Sequence, residues 1–150
     1  KTKGGLILRW VMDFINIFLK PKGGIKPIGM IGINEASSIL LDKLEEMGDD
    51  KAGIYLPDKD IKIYKRDDVI KAHELKEVSS ITYITEAHDC DDFAAKLYGR
   101  FAGLAWTNLH ALNWFFDENS EFWWIEPQSK EVSDTIKAWQ GSEVRFFIAR

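Results

Sequence analysis

The order of predicted elements indicates an α+β fold, with helices in the first part of the chain and a small antiparallel sheet in the last. Apolar residues recur at helical spacing over 34–47 and again from Phe93 to Phe101. After Gly103 the apolar residues come in short aromatic and β-branched runs, which are typical of strands. The 150 residues are 45% hydrophobic and 13% aromatic, so the chain is able to bury a core and is not disordered over most of its length.

The first 20 residues form an apolar segment, which we expect to be a helix preceding a single domain over 21–150. Arg9 and Asp13 interrupt the apolar run, and no small-residue cleavage site precedes Pro21, so a cleavable signal peptide is not indicated. The run is also shorter than the roughly 20 apolar residues of a membrane span. We interpret it as a helix buried in the fold or against a partner. The alternatives are a membrane-surface anchor and the remnant of a signal or anchor.

The later elements follow from apolar spacing and from turn residues. Proline and glycine over 21–32 predict a surface loop, and Asn34 is expected to begin a helix that ends near Met47. Between Gly48 and the cysteine we predict short strands within 53–65, a short helix over 67–76 and a strand or extended segment over 78–85. A helix then runs from Cys90 to about Phe101, followed by strands over 110–116 and 122–126 that a turn at 117–120 joins. The chain ends with a short helix over 133–139 and a last strand over 144–149.

Charge and cysteine content exclude some classes of protein. The net charge is −4 and the sequence pI is near 5.4, and no dense basic run with interleaved aromatic residues occurs, so a nucleic-acid partner is not expected. The one cysteine is unable to form an intramolecular disulfide, so the fold does not depend on an oxidising compartment.

Three residues suggest a nucleophilic site. Cys90 opens a predicted helix that Asp89 is placed to cap, and the positive end of a helix dipole makes a thiol easier to deprotonate. His110 opens a later strand and Glu126 ends the next one. A nucleophile requires a base, and the base requires a group that orients it, so this order is typical of a papain-like site. The alternative interpretation is that Cys90 is a small buried apolar residue and His110 a hydrogen-bonded strand histidine.

Acidic residues around the cysteine suggest a cation. Asp91 and Asp92 follow Cys90 directly, and their like charges would raise the pKa of the thiol unless a cation balanced them. Glu126 and Gln128 point to one face of a strand by period two. Carboxylate and amide oxygens suit calcium better than zinc, so we predict calcium as the cofactor. A solvated acidic helix start and a zinc site made from His88, Cys90 and His110 are the alternatives.

These motifs resemble a known family. The segments 90–94, 110–114 and 125–128 are similar to the C-terminal domain of the fairy-ring mushroom agglutinin and its bacterial and phage relatives. The resemblance covers about residues 80–150. It implies a papain-like fold and a calcium-dependent cysteine peptidase, with Cys90 as nucleophile, His110 as base and Glu126 as orienting acid.

The same resemblance implies Asp91, Asp92, Glu126 and Gln128 as candidate calcium ligands and a peptide, isopeptide or protein as substrate. Leu109 stands where the fungal domain usually has glycine. The main hypothesis is therefore a thiol protease that is cytoplasmic or virion-associated. The alternative is a catalytically silent papain-like module with a structural or binding role in a phage or at a surface. The sequence leaves the oligomeric state open.

Overall fold

The computed structural model describes residues 23–150, so the predicted helix over 1–20 lies outside the described residues. The helices are α1 (Ile33–Glu46), α2 (Arg66–Ile70), α3 (His73–Ser79) and α4 (Cys90–Tyr98), with a 3-10 turn at Ala138–Gln140. The strands are β1 (Gly29–Gly32), β2 (Gly53–Tyr55), β3 (Asp60–Ile63), β4 (Gly103–Thr107), β5 (Ala111–Phe116), β6 (Phe122–Glu126), β7 (Glu131–Ser133) and β8 (Val144–Ile148).

These strands form a mixed sheet. Its main path runs β1-β3-β5-β4-β8-β2, and β6 branches off to pair with β5 and β7. Strand β2 pairs with β8 in parallel, and β3 pairs with β5 in parallel, while the remaining pairs are antiparallel. The sheet has eight strands and begins with β1, ahead of the first described helix. The predicted fold, helices first and then a small antiparallel sheet, is therefore wrong.

Several predicted elements have other structures. Strand β1 lies in the segment predicted as a loop, because its glycines read as turn signals although Ile31 is buried. The segment predicted as a strand over 78–85 instead contains the end of α3 and a turn closed by an isolated bridge between Ile84 and His88. Strands β4 and β7 were not predicted, and only a 3-10 turn forms in the segment predicted as a helix over 133–139. Helices α1 and α4 and strands β5, β6 and β8 lie close to their predicted positions.

The sheet separates two apolar clusters, and β5 contributes to both. All six residues of β5 are buried, so its alternating side chains reach opposite faces of the sheet. Leu112, Trp114 and Phe116 pack in the cluster beneath α1, and Phe115 packs in the cluster beneath α2, α3 and α4. In the second cluster, α4 buries Phe93 and Leu97. This packing places the first residue of α4 beside the start of β5.

No helix within residues 23–150 is long and apolar enough to cross a membrane.

Candidate functional site

The β5–β6 hairpin brings His110 and Glu126 together. Asn113 lies opposite Ile125 in this hairpin, which places the end of β6 near the residue that precedes β5. The Nε2 of His110 lies 2.8 Å from the Oε2 of Glu126. The two side chains are 9% and 3% exposed, so their bond is shielded from water. A carboxylate oxygen is an acceptor, so Nε2 is the donor and Nδ1 is the other ring nitrogen.

Glu126 is further hydrogen-bonded by two neighbours. The side-chain amide of Gln140 donates to Oε2 at 2.8 Å, and the backbone N–H of Gln128 donates to Oε1 at 3.2 Å. A buried carboxylate is costly unless donors satisfy it, and here both oxygens have donors.

Thr107 holds the backbone of the loop that carries His110. Its Oγ1 accepts the backbone N–H of His110 at 2.9 Å and that of Leu109 at 3.1 Å. The same hydroxyl lies 2.5 Å from the carbonyl oxygen of Gln140, to which it donates. The ring of Trp139 meets the imidazole edge-on, with centroids 5.0 Å apart. We call His110, Glu126, Thr107 and Gln140 the histidine wall.

Cys90 lies on the opposite side, at the first residue of α4. Asp89 is the N-cap of this helix, and the side chain of Asp92 accepts the Asp89 backbone N–H at 3.3 Å. Burial raises the pKa of the Cys90 thiol, and the charges of Asp89 and Asp91 raise it further, against a hydrogen bond from the Ala111 backbone N–H that lowers it. The sequence predicted a lowering of this pKa by the helix dipole and a rise from the neighbouring acids, and the net direction is a rise, mainly through burial. We call Asp89, Cys90 and Asp91 the thiol wall.

The acids of the thiol wall lie close together. One ligand atom from each of Asp89, Cys90 and Asp91 lies within 4.8 Å of the others. A hydrogen bond with the Asp89 side chain, followed by partial burial, raises the pKa of the Asp91 carboxyl. Neighbouring carboxylates are ligands that suit calcium.

The four predicted calcium ligands do not form one such group. Among the described residues, the close group of His, Cys, Asp and Glu ligand atoms contains Asp91 but neither Asp92 nor Glu126. Both oxygens of Glu126 are already hydrogen-bonded, and Gln128 contacts it through its backbone. Calcium stays a prediction, and the carboxyl pair of the thiol wall is the part of the structure that fits it.

The zinc alternative has no comparable group. His88 and His110 lie outside the close group found among the described residues. The Nδ1 of His88 lies 3.9 Å from the Oδ2 of Asp92, and its ring packs against Phe93.

The two walls enclose an open cleft of about 260 Å³. Its lining combines the thiol, the imidazole and an exposed apolar rim. Trp106 and Leu109 are 36% and 65% exposed, and Arg145 is also exposed. The lining residues are Cys90, Asp91, Trp106, Thr107, Asn108, Leu109, His110, Ala111 and Arg145.

Comparison with solved structures finds chains of similar fold. One structure, described as a "PSL1a-E64 complex", is 23% identical, with a TM-score of 0.62 over 79% of this chain and 51% of that one. A second is Polyporus squamosus lectin bound to the human-type influenza-binding epitope Neu5Aca2-6Galb1-4GlcNAc, 21% identical, with a TM-score of 0.59 over 79% of this chain and 49% of that one. The chain thus spans about half the length of these two chains. No protein-family model matches the chain, and a search of curated proteins finds no match either.

These comparisons correct the resemblance inferred from the motifs. One of the two solved neighbours is described as a lectin, whereas the motifs predicted a papain-like hydrolase of the thiol protease class. The described residues form a mixed eight-stranded sheet with four α-helices, a fold similar to that of the first of these structures and different from the predicted helix-led papain-like fold with its small antiparallel sheet. The prediction of a cysteine peptidase is therefore wrong, and its alternative, a binding module, fits the comparisons better. For the predicted partners, the comparisons are consistent with a bound ligand. They do not show the predicted peptide substrate, and they give no indication of a nucleic-acid partner.

Sequence reasoning missed three residues of the site. Gln140 and Thr107 join segments 33 positions apart in the chain, and no local pattern reveals such a contact. Arg145 lies on β8, where its exposure follows from strand alternation, but its position at the cleft depends on the pairing of β8 with β4. The roles predicted for Cys90, His110 and Glu126 stay predictions.

Proposed function

We propose that the chain is a ligand-binding module and that the cleft between the thiol wall and the histidine wall is its ligand site. The observation that carries this proposal is the composition of the cleft, in which an exposed aromatic ring and an exposed cation flank a few fixed polar groups. Binding sites are commonly concave surfaces that combine apolar side chains with a few well-placed polar groups.

The apolar part of the cleft is a supported surface. The ring of Trp106 stacks on Phe146, with centroids 5.6 Å apart and an angle of 28° between the planes. This contact fixes the indole while leaving part of it open to solvent. A rigid aromatic side chain offers contact area at low entropic cost and suits the apolar face of a sugar ring.

The charged part of the cleft is Arg145. Among residues 23–150, no ion pair within salt-bridge distance involves its guanidinium. A guanidinium binds a carboxylate through two parallel hydrogen bonds. We therefore favour a carbohydrate ligand that carries a carboxylate. The sialylated trisaccharide bound by the Polyporus squamosus lectin belongs to this class and is the natural probe.

The thiol wall supports binding in preference to nucleophilic attack. Because its pKa is raised, Cys90 holds its proton more firmly at neutral pH than a free cysteine does. A protonated thiol is a weak hydrogen-bonding group that packs against a ligand, and it is a poor nucleophile.

Calorimetric titration with the sialylated trisaccharide tests the proposal. Arg145→Ala should weaken binding by at least about tenfold, because it removes charge-assisted hydrogen bonds worth about 1.5–3 kcal/mol each. The same trisaccharide without its sialic acid should bind the wild-type chain with a similarly reduced affinity. Arg100→Ala is the matched control, because Arg100 is exposed and lies against Glu77, outside the cleft lining. Absence of binding, or equal binding by wild type and Arg145→Ala, would overturn the carbohydrate proposal.

A second candidate ligand is favoured by the other neighbour, whose structure contains E64. E64 would occupy the same cleft, and calorimetric titration should show that it binds the wild-type chain. Intact-mass measurement should show no covalent adduct, because Cys90 holds its proton and is a poor nucleophile. Repeated cleavage of a peptide by the wild-type chain, abolished in Cys90→Ala, would contradict a module that only binds.

A further inference from the structure

We infer that Gln140 is a positioning residue, which fixes the ring nitrogen that His110 presents to the cleft by holding Glu126. This inference deepens the proposed function, since it concerns one wall of the same cleft. It rests on hydrogen bonds within the chain, so it is testable without any ligand.

The orientation of the Gln140 side chain is determined by its neighbours. Its Oε1 accepts the backbone N–H of Lys137 at 2.7 Å, which identifies that atom as the oxygen. The amide nitrogen must then face Glu126, to which it donates at 2.8 Å. Gln140 is 5% exposed, so no water competes freely for these bonds.

Glu126 transmits this constraint to the imidazole. Its Oε2 accepts from both the Gln140 amide and the His110 Nε2, each at 2.8 Å. With Oε1 held by the Gln128 N–H, the carboxylate has one orientation. A neutral imidazole must therefore carry its proton on Nε2 and keep Nδ1 as the acceptor.

The backbone of Gln140 holds the other side of the same histidine. Its carbonyl oxygen accepts from the Thr107 hydroxyl, whose oxygen accepts the His110 backbone N–H. Gly141 follows with φ +115°, and a Cβ at this position would collide with the side chains of Thr107 and Asn108. The glycine allows the two segments to approach closely. Gln140 therefore holds the ring of His110 through its side chain and the backbone of His110 through its carbonyl oxygen.

Nitrogen NMR of the histidine rings at about pH 8.5, where free imidazole is neutral, tests the inference. The wild-type chain should show a single Nε2–H tautomer for His110, assigned by its disappearance in His110→Gln. In Gln140→Ala the carboxylate loses one of its anchors, and the two ring-nitrogen signals should move toward each other as the tautomers mix. Lys137→Ala is the control, since its exposed side chain belongs to the same turn and the backbone donor to Gln140 is retained.

Gln140→Asn provides a second variant that keeps an amide in the turn but is one methylene too short to reach Glu126. It should show the same mixture of tautomers, which keeps the test open if Gln140→Ala fails to fold. A single unchanged tautomer in either folded variant would overturn the role of Gln140. Absence of trisaccharide binding by a wild-type chain that shows the single Nε2–H tautomer would instead count against the proposed ligand and leave the role of Gln140 intact.

Discussion

The two walls of the cleft differ in how their polar groups are balanced. The histidine wall is buried, and Glu126 has donors on both of its oxygens. The thiol wall is more exposed, and its neighbouring acids raise the pKa of Asp91 and add to the rise at Cys90. In the histidine wall, donors from the chain satisfy the buried carboxylate. The thiol wall instead carries neighbouring negative charges that a bound cation or ligand would balance.

This difference follows from where each wall is built. The histidine wall joins the ends of β4, β5 and β6 to the 3-10 turn, so distant segments hold one another in place. The thiol wall is the first turn of α4, where consecutive residues place their like charges side by side. The thiol wall is therefore determined by local sequence, and the histidine wall by tertiary packing.

The largest expected effect is on the core that supports both walls. Trp114 is 1% exposed, and its indole N–H donates to the Leu104 carbonyl at 3.0 Å. Trp114→Ala should lower the free energy of unfolding in urea by about 4 kcal/mol, because it leaves a large cavity. Trp139→Ala is the control, since Trp139 is 56% exposed, and it should cost less than about 1 kcal/mol. Equal losses would mean that the described core is not the centre of stability.

The next effect concerns the stability of the histidine wall. Glu126→Ala should lower the free energy of unfolding by about 3 kcal/mol, because it strands buried donors on His110 and Gln140. Glu131→Ala, an exposed glutamate on the neighbouring β7, should change it by less than about 0.5 kcal/mol. Similar losses for both variants in urea unfolding would show that the histidine wall is not a stabilised unit.

A smaller effect is expected from calcium at the thiol wall. If calcium bridges the carboxyls of Asp89 and Asp91, millimolar calcium should stabilise the folded chain by about 1–2 kcal/mol, a rise in Tm of about 3–6 °C. Chelator should reverse the rise, and Asp91→Asn should remove it. Asp67→Asn, at an exposed aspartate in α2, should respond to calcium as the wild type does. No shift in the wild-type chain would leave the acids as a solvated helix start.

The fold was predictable from sequence where apolar spacing is local. The helical spacing of Phe93 and Leu97 and the hairpin turn after Phe116 both produced elements that the structure contains. Strand β4 was not predictable, because its first residue, Gly103, is typical of the end of an element. In the structure this position requires glycine for another reason, since a Cβ there would collide with the Trp114 ring. The mixed sheet depends on the parallel pairings of β2 with β8 and β3 with β5, which join distant segments.

The site was predictable to a similar extent. The hairpin suggested that His110 and Glu126 approach each other, and the structure places them in contact. The direction of the Cys90 pKa shift was not predictable from the helix start alone, since its largest cause is burial of the thiol, which depends on tertiary packing. Gln140 and Arg145 enter through contacts between distant segments, which carry no local sequence pattern.

The central claim, that the thiol wall serves binding and not nucleophilic attack, is tested most directly by the pH dependence of Cys90 alkylation. Because the pKa is raised, iodoacetamide should modify Cys90 in the native chain more slowly than it modifies free cysteine at about pH 7. The rate should keep rising above pH 9.0, the ordinary value for this thiol. Faster alkylation than free cysteine at about pH 7, levelling off at lower pH, would reveal an activated thiolate and contradict the account.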